Sequence, residues 1–363
     1  MLHEKLHEKV VLPFLADRDS ETWHKHAVEF LHVMENGPIR RQILKLFAGG
    51  RRVVDPRLQM QLGNLTLENP LLVAAGWDKE GRAVRGLYEL GFAGVEVGSV
   101  LHKSQIGNPK PRQRMLTPPD VCLNARGFDS GGMEVADGNL ARYLRSGIPI
   151  GINIGKNKEG VEEKDIPEAY AAVARKLAKY ASYIVINVSS PNTPGLRILQ
   201  DEKPLTDIVQ AVKAALLELK LDLLPGIYVK LAPDLEMEAV DGAIRVATTH
   251  GLAGLIASNT TIDKDIKAKY GVEHEPGGIS GNDPDFRKKC LQQIRHIYRK
   301  TEGELAIIGV GGIDSAERVI ETLKAGASAI GIMTAMRPKG LHIAHTINQG
   351  LVDWLHCCLG KLR

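Results

Sequence analysis

The segment "YIVINVSSPNTPGLR", residues 183–197, begins as an apolar run and ends in a cluster of amide and hydroxyl side chains. Its first residues, from Tyr183 to Asn187, are mostly apolar, as in a β-strand that is buried on both faces. Pro191 and Pro194 follow and restrict the backbone of the turn. Polar groups that follow a buried strand need partners, so this segment predicts a site at the end of the strand. The cluster comprises Asn187, Ser189, Ser190, Asn192 and Thr193.

Short apolar runs of the same kind recur along the chain. Helical patterns separate several of them, for example at residues 165–181 and 204–220. Near-continuous apolar strands that alternate with helices indicate a parallel sheet covered on both faces. Eight such units predict an α/β fold, a (β/α)8 TIM barrel. A doubly wound sheet is the alternative, because closure of a sheet cannot be read from sequence. The runs are residues 70–76, 91–100, 148–155, 183–190, 226–234, 251–261, 305–312 and 327–335.

The residues before the barrel have a helical texture of their own. Residues 20–35 carry apolar side chains at helical spacing, with Ser20 as a candidate N-cap, and residues 38–47 form a second helical pattern. These helices have two interpretations. They either pack on the next domain, or they form a small amphipathic module that touches lipid or an apolar ligand.

A short segment between the helices and the barrel reads as a hairpin. Residues 57–68 alternate apolar and polar side chains around Gly63-Asn64. We therefore predict a small N-terminal helical extension over residues 1–50 and a barrel over residues 51–363, with the hairpin at its start.

Composition excludes several classes of partner. The chain has 363 residues and a formal net charge of +4, without a basic run interleaved with aromatic residues, so we predict no nucleic acid partner. Its four cysteines show no ligand spacing, which predicts neither a metal site nor a disulfide framework. No apolar run reaches the ~18–20 residues of a membrane span. Contact with a membrane surface stays open.

Polar side chains stand where the predicted strands end, which is where barrels carry their chemistry. A single Asn or Ser at a strand end is more often a turn former than a ligand. Several strands that deliver such groups to one rim are stronger evidence. Lys230 lies inside an apolar strand and needs an anionic partner, and Asp234 is the only nearby carboxylate at a strand end. We therefore expect a bound anionic ligand at Lys230.

Glycines after the last strands fit a phosphate. Barrels often bind phosphate on the loops after strands seven and eight, beside a helix N-terminus. Here "GVGG" (309–312) and Thr334 occupy those places, and "GGISG" (277–281) adds further glycines. This order points to a phosphorylated cofactor upright in the barrel mouth. A flavin fits, because Lys230 can hold the charge that develops on the reduced ring.

Long, ordered motifs carry a resemblance to a known family. The chain resembles the flavin-dependent dihydroorotate dehydrogenases, and within them the quinone-linked class 2 type, from about Asp19 to the last barrel helix. The resemblance implies FMN as cofactor and oxidation of dihydroorotate to orotate in pyrimidine biosynthesis, with electrons passed to a membrane quinone. The motifs are "NPLLVAAGWDKEG" (69–81), "GNPKPR" (107–112), "GINIGKN" (151–157), "VINVSSPNTPGLR" (185–197), "VKLAPD" (229–234), "SNTT" (258–261), "GGISG" (277–281) and "IIGVGGI" (307–313).

The resemblance also assigns roles to residues. Ser190 is similar in position to the catalytic base, with Thr193 and Phe128 beside it. A serine needs activation, and our hypothesis is that a water and the Thr193 hydroxyl relay the proton while Phe128 shields it. Substrate-side positions match Lys79, Asn124, Phe128, Asn187, Asn192, Asn259 and Thr260. Cofactor-side positions match Ala75, Gly76, Ser99, Asn153, Asn187, Lys230, Ser258, Gly281, Gly312, Met333 and Thr334.

The extension resembles the class 2 segment that forms a quinone tunnel. "DSETWH" (19–24) is similar to its entry motif and puts His24 on the quinone side. The resemblance therefore implies a peripheral protein on the cytoplasmic side of the inner or cell membrane, with the N-terminal helices on the membrane surface.

Three places depart from the family pattern. "NARGF" (124–128) has Ala125 and Arg126 where the family carries an arginine and then an aromatic or apolar residue. Met333 stands where the family carries a tyrosine, and Met115 stands where it carries a quinone-side arginine, with Arg114 one position earlier. These changes leave alternatives open: an FMN oxidoreductase of the same scaffold with another acceptor or a related pyrimidine substrate, a non-redox phosphate-binding barrel, or a membrane-associated binding protein.

Overall fold

The structure, a computed structural model, describes residues 20–116 and 120–360. Residues 1–19 of the predicted extension, including Asp19 of the entry motif, lie outside the described residues. The strands are β1 Met60–Leu62, β2 Leu65–Leu67, β3 Leu71–Val73, β4 Gly94–Leu101, β5 Gln113–Leu116, β6 Val121–Asn124, β7 Ile150–Gly155, β8 Tyr183–Asn187, β9 Gly226–Leu231, β10 Gly254–Ala257, β11 Gly278–Gly281, β12 Ala306–Val310 and β13 Ala329–Ile332.

Eight of these strands close into a parallel barrel in the order β3, β4, β7, β8, β9, β10, β12, β13. Each coincides with one of the predicted apolar runs, so the (β/α)8 prediction is confirmed and the doubly wound alternative is wrong. The helices are α1 Ser20–Glu35, α2 Pro38–Phe47, α3 Val84–Glu89, α4 Met133–Leu140, α5 Ile166–Leu177, α6 Glu202–Leu217, α7 Met237–Thr249, α8 Lys264–Ala268, α9 Pro284–Lys300, α10 Ala316–Lys324, α11 Met336–Lys339 and α12 Ile343–Gly360.

The barrel strands are apolar on both faces because two cores meet at them. Alternate residues point to opposite faces of a strand. In β8, Val185 joins the inner core and Ile184 and Ile186 join the outer core against the helices. The hairpin of β1 and β2 closes the N-terminal end of the barrel, where Leu62 and Leu67 complete the inner core. Chemistry is therefore confined to the opposite, C-terminal end.

A small antiparallel sheet covers part of that C-terminal end. It is made of β5, β6 and β11, which lie in the connections that follow β4 and β10. The "GGISG" segment, which we predicted as a phosphate loop, forms the strand β11 and pairs with β6. The sheet therefore brings β6 and its following loop over the barrel mouth.

The N-terminal helices pack tightly on the barrel. Leu31 of α1 and Leu44 of α2 are fully buried in the outer core. Gly86 of α3 permits this approach, because a Cβ at that position would lie 2.7 Å from the Leu31 carbonyl oxygen. The Glu35 carboxylate accepts a hydrogen bond of 2.8 Å from the Gly86 amide. One face of the helical pair is thus buried against α3, and the division of the chain at residue 50 stays a prediction.

The opposite face of these helices is exposed and apolar. Phe30, Ile39, Ile43, Leu46 and Phe47 are each more than a third exposed, with Ile39 at 76%. Within the part of the chain that the structure describes, no helix has the length and apolar character that crossing a membrane requires.

Candidate active site

A layer of polar side chains fills the barrel interior just below its C-terminal mouth. We call it the polar floor, formed by Glu96, Ser99, Asn153, Asn187 and Lys230. The Asn187 amide donates to Ser99 Oγ at 2.9 Å and to Asn153 Oδ1 at 3.1 Å, and Ser99 also donates to Asn153 Oδ1. The Asn153 amide in turn donates to Glu96 Oε1 at 2.8 Å. These bonds fix the side chains before any ligand binds.

Lys230 has an internal carboxylate partner, so the expectation that it lacks one was wrong. Its ammonium lies 3.6 Å from Glu96 Oε1, and both side chains are at most 5% exposed. Asp234 is not the partner, because it pairs with Arg197 at 2.9 Å. Lys230 also lines the barrel mouth. An anionic ligand is therefore not required to explain its burial.

The serine and its neighbours line a cavity of about 550 Å³ above the polar floor. We call it the serine cavity. Ser190 is 6% exposed and its Oγ accepts the Asn192 amide N–H at 3.3 Å. Ser189 links Asn187 to Asn259, whose amide donates to Ser189 Oγ at 2.9 Å. All the predicted substrate-side residues line this cavity: Lys79, Asn124, Phe128, Asn187, Asn192, Asn259 and Thr260.

Two hydroxyls near the serine cavity have no hydrogen-bond partner among the described residues. They are Thr193 Oγ1 and Thr260 Oγ1, both fully buried as atoms. A buried hydroxyl without a partner is costly. The two groups are therefore available to a water molecule or a ligand.

A second cavity, with about 780 Å³ of empty space that is open to solvent, lies beside the first. We call it the glycine cavity. The two cavities share Ala75, Gly76, Asn124, Lys230, Asn259 and Thr260. Gly281 and Gly312 have positive φ angles of 101° and 63°. A Cβ added at Gly312 would lie 3.1 Å from the Gly281 carbonyl oxygen, so the two backbones approach each other closely at this wall of the cavity. The other predicted cofactor-side residues that line it are Ser258, Met333 and Thr334. Ser99 and Asn187 line the serine cavity instead, and Asn153 is fully buried in the polar floor.

A third, smaller cavity of about 270 Å³ lies between the barrel mouth and α1. We call it the helix-side cavity. His24 lines it and hydrogen-bonds the Trp77 carbonyl oxygen at 2.7 Å. Burial lowers the pKa of His24 to about 3, so the ring is neutral and donates this bond. Met333 and Thr334 line both this cavity and the glycine cavity, so the two cavities are neighbours.

The basic residue of the helix-side cavity was missed from the sequence. Arg114 points away and pairs with Glu275 at 2.7 Å. Met115 lines the cavity, as its position predicts, and the guanidinium comes instead from Arg337. Arg337 also bonds Ser20 Oγ and lies 5.4 Å from the Trp23 ring centroid. The sequence did offer a signal for Arg337, because it is the second residue of α11, which follows the last barrel strand.

A buried ionic cluster stands at the edge of the serine cavity, and the sequence did not reveal it. Lys79 pairs with Asp129, which also binds Arg126 and lies 3.3 Å from Arg112. Arg112 reaches Glu21 of α1 with two bonds of 2.9 and 2.8 Å. Burial, together with the charge of Arg126, lowers the pKa of Lys79 to about 7. Arg126, which departs from the family pattern, is thus an anchor of Asp129.

Known proteins share this arrangement of the whole chain. A sequence model of the dihydroorotate dehydrogenase family matches residues 57–355. A dihydroorotate dehydrogenase (quinone) from Erythrobacter litoralis is 36% identical over 94% of this chain and 93% of its own length. Another from Rhodospirillum rubrum is 40% identical, over 87% and 85% of the two chains.

A solved structure agrees with these sequence matches. The dihydroorotate dehydrogenase of Eimeria tenella in complex with ferulenol superposes with a TM-score of 0.85 at 30% identity. The match covers 94% of this chain and 92% of that one. On these matches, the chain belongs to the dihydroorotate dehydrogenase family, in its quinone-linked class 2 branch.

Proposed function

We propose that the protein oxidises dihydroorotate to orotate in pyrimidine biosynthesis and passes the electrons to a quinone, with FMN as its cofactor. The observation that carries the proposal is a row of three neighbouring cavities that share lining residues: an amide-lined cavity with a buried serine, a glycine-lined cavity, and a cavity beside α1. Relatives named dihydroorotate dehydrogenase (quinone) over most of the chain support it.

The glycine cavity fits FMN. Gly281 and Gly312 line the cavity with backbone alone, and Thr334 adds a hydroxyl that is bonded at 2.9 Å to Ser280 Oγ. Lys230 supplies a fixed positive charge at the other end of the cavity. When bound, FMN would accept a hydride from the substrate. Gly281, Gly312, Thr334, Ser258 and Lys230 are the residues that we propose to hold it.

The serine cavity fits a small anion with amide edges. Asparagine offers both a donor and an acceptor, and Asn124, Asn187, Asn192 and Asn259 converge on the cavity. Lys79 provides a cation for a carboxylate. The unpartnered Thr260 hydroxyl provides one more hydrogen-bonding group at the same wall.

Ser190 is the proposed base that takes the proton from the substrate carbon. The described residues place no histidine along the serine cavity, so the proton needs another route. Thr193, three residues on, carries a buried hydroxyl without a partner, and a water between the two hydroxyls would complete the relay. Phe128 lines the same cavity as Ser190 and is the proposed shield of the relay, with its ring packed over Gly155, where a Cβ would come 3.0 Å from Cε2.

The helix-side cavity is the proposed place for the quinone head group. It neighbours the glycine cavity, with which it shares Met333 and Thr334. His24 and Arg337 offer polar contacts beside the apolar and aromatic side chains of Trp23, Trp77 and Met115. The exposed apolar face of α1 and α2 would rest on the membrane surface, on the cytoplasmic side, as a peripheral contact.

Anaerobic mixing with dihydroorotate tests the whole proposal. The purified protein should be yellow, and dihydroorotate should bleach the flavin absorbance. A soluble quinone analogue should then restore the absorbance. A colourless protein would favour a non-redox phosphate-binding barrel, and bleaching without reoxidation by quinone would indicate another acceptor.

The membrane contact predicts a loss of vesicle binding when the exposed apolar face is made polar. Burying an Ile or Leu side chain is worth about 1.5–3 kcal/mol, so Ile39→Gln with Leu46→Gln should weaken binding to phosphatidylglycerol vesicles by at least about tenfold. Co-sedimentation measures this. Ile198→Gln with Leu223→Gln is the matched control, because those residues are 65% and 71% exposed elsewhere on the surface. Equal losses in both pairs would contradict the contact.

A further inference from the structure

The ionic cluster at the serine cavity contains a carboxylate that competes with any bound anion. Asp129 forms an ion pair with the Lys79 ammonium, and Lys79 lines the serine cavity. Asp129 also receives bonds from Arg126, including one of 2.9 Å from Nε, and lies 3.3 Å from Arg112. It would therefore keep two guanidinium partners after giving up Lys79. Release of the lysine does not leave a buried charge unpaired.

Arg112, one of the guanidinium partners of Asp129, is itself held by a second ion pair. Arg112 is 7% exposed and donates from Nε and Nη2 to the two carboxylate oxygens of Glu21 in α1. The bonds from Arg112 lower the pKa of Glu21 to about 2, so this carboxylate stays charged at any working pH. The position of Asp129 is thus set from α1, across the cluster.

We propose that Asp129 is a positioning residue for the anionic substrate. Its carboxylate keeps the Lys79 ammonium charged and in place until the carboxylate of the substrate displaces Asp129 from the lysine. The inference rests on the proposed function, since it takes dihydroorotate and orotate as the anions. It adds a residue that touches Lys79 rather than the substrate. On this proposal, the pair of Glu21 in α1 and Arg112 also supports the substrate site.

The charges around Lys79 decide the direction of its pH dependence. The ionisable groups that face it are Asp129 and Arg126 from the loop after β6, Arg112 ahead of β5, and His24 of α1. His24 is neutral. The remaining cations and burial lower the pKa of Lys79 to about 7, and Asp129 opposes them.

The sign follows from the charge that the ligand requires. A carboxylate binds the ammonium form, so affinity is full below the pKa of free Lys79 and falls above it by about tenfold per pH unit. Removing Asp129 lowers that pKa further. The fall in affinity should then begin at a lower pH.

Titration calorimetry of orotate against the flavin-loaded enzyme, from about pH 6 to about pH 9, tests the proposal. Asp129→Asn should bind orotate at least about tenfold more weakly than the natural protein at the alkaline end. At the acid end, where Lys79 is charged in both proteins and the competing carboxylate is absent from the variant, it should bind orotate at least as tightly. Asp129→Glu should restore part of the affinity. Glu80→Gln is the matched control: it alters a carboxylate that accepts from the Gly131 amide of the same loop at 2.7 Å, and its pH profile should not move.

The outcomes separate this inference from the proposed function. If the natural protein binds no orotate at any pH, the proposed function fails. If it binds orotate and Asp129→Asn has the same pH midpoint, or loses affinity equally at every pH, the inference is overturned. Proton uptake by the natural protein, from binding heats in buffers of different ionisation enthalpy, gives a test that needs no variant. Orotate binding above the pKa of Lys79 should take up protons, and zero uptake would also overturn the inference.

Discussion

Replacing Ser190 with alanine is expected to slow reduction of the bound flavin by dihydroorotate by at least about 10²-fold, the low end of general-base effects. Its Oγ faces the serine cavity and is held by the Asn192 amide N–H at 3.3 Å. Without it, the hydroxyls left among the described residues of that cavity are Thr260 and Ser99, and the Ser99 hydroxyl is already bonded to Asn153 and Asn187 in the polar floor. Anaerobic stopped-flow absorbance measures the rate of reduction directly, before any quinone is involved.

A control at the other end of the same strand separates chemistry from folding. Ser182 precedes β8, and its Oγ accepts the Ile150 amide N–H at 3.2 Å, far from the mouth. Ser182→Ala should reduce flavin at the natural rate. Orotate binding should also be nearly unchanged in Ser190→Ala, because the asparagines and Lys79 remain. Near-normal flavin reduction in Ser190→Ala would remove the serine from the mechanism.

The barrel strands could be predicted from the sequence because each strand is specified by its own short stretch of residues. Each run, such as residues 183–190, carries its own apolar residues and its own polar end. Closure could not be predicted, since the pairing of β13 with β3 joins residues more than two hundred positions apart. The small sheet over the mouth was missed for the same reason, as β11 is a strand only because β6 lies beside it.

The candidate site likewise contains residues that could be predicted from the sequence and residues that could not. Residues on strand ends, such as Asn187 and Lys230, could be placed from the order of the strands. Glu96 could also have been found, because a lone carboxylate in the apolar run 91–100 raises the same question as Lys230. The Glu21–Arg112–Asp129 chain could not, because three distant segments meet only in the folded molecule.

Lys230→Met is expected to lower the free energy of unfolding by about 3–5 kcal/mol, the usual cost of removing one partner from a buried ion pair. Glu96 would remain in the polar floor at 1% exposure, with the Asn153 amide as its neighbour. The double variant Lys230→Met with Glu96→Gln removes both charges and should recover most of the loss, because a buried pair contributes little net stability as a whole. Urea unfolding measures both changes.

Flavin binding should respond differently from stability, which separates the two roles of Lys230. The double variant regains a neutral barrel interior but still lacks the cation that lines the glycine cavity. Its FMN affinity should therefore stay as low as that of Lys230→Met. Unfolding at several FMN concentrations resolves the contributions, since stabilisation by a ligand grows with its concentration and intrinsic stability does not. A double variant that binds FMN normally would show that Lys230 contributes to the stability of the barrel and not to FMN binding. Recovered stability together with lost FMN affinity would show that Lys230 contributes to both.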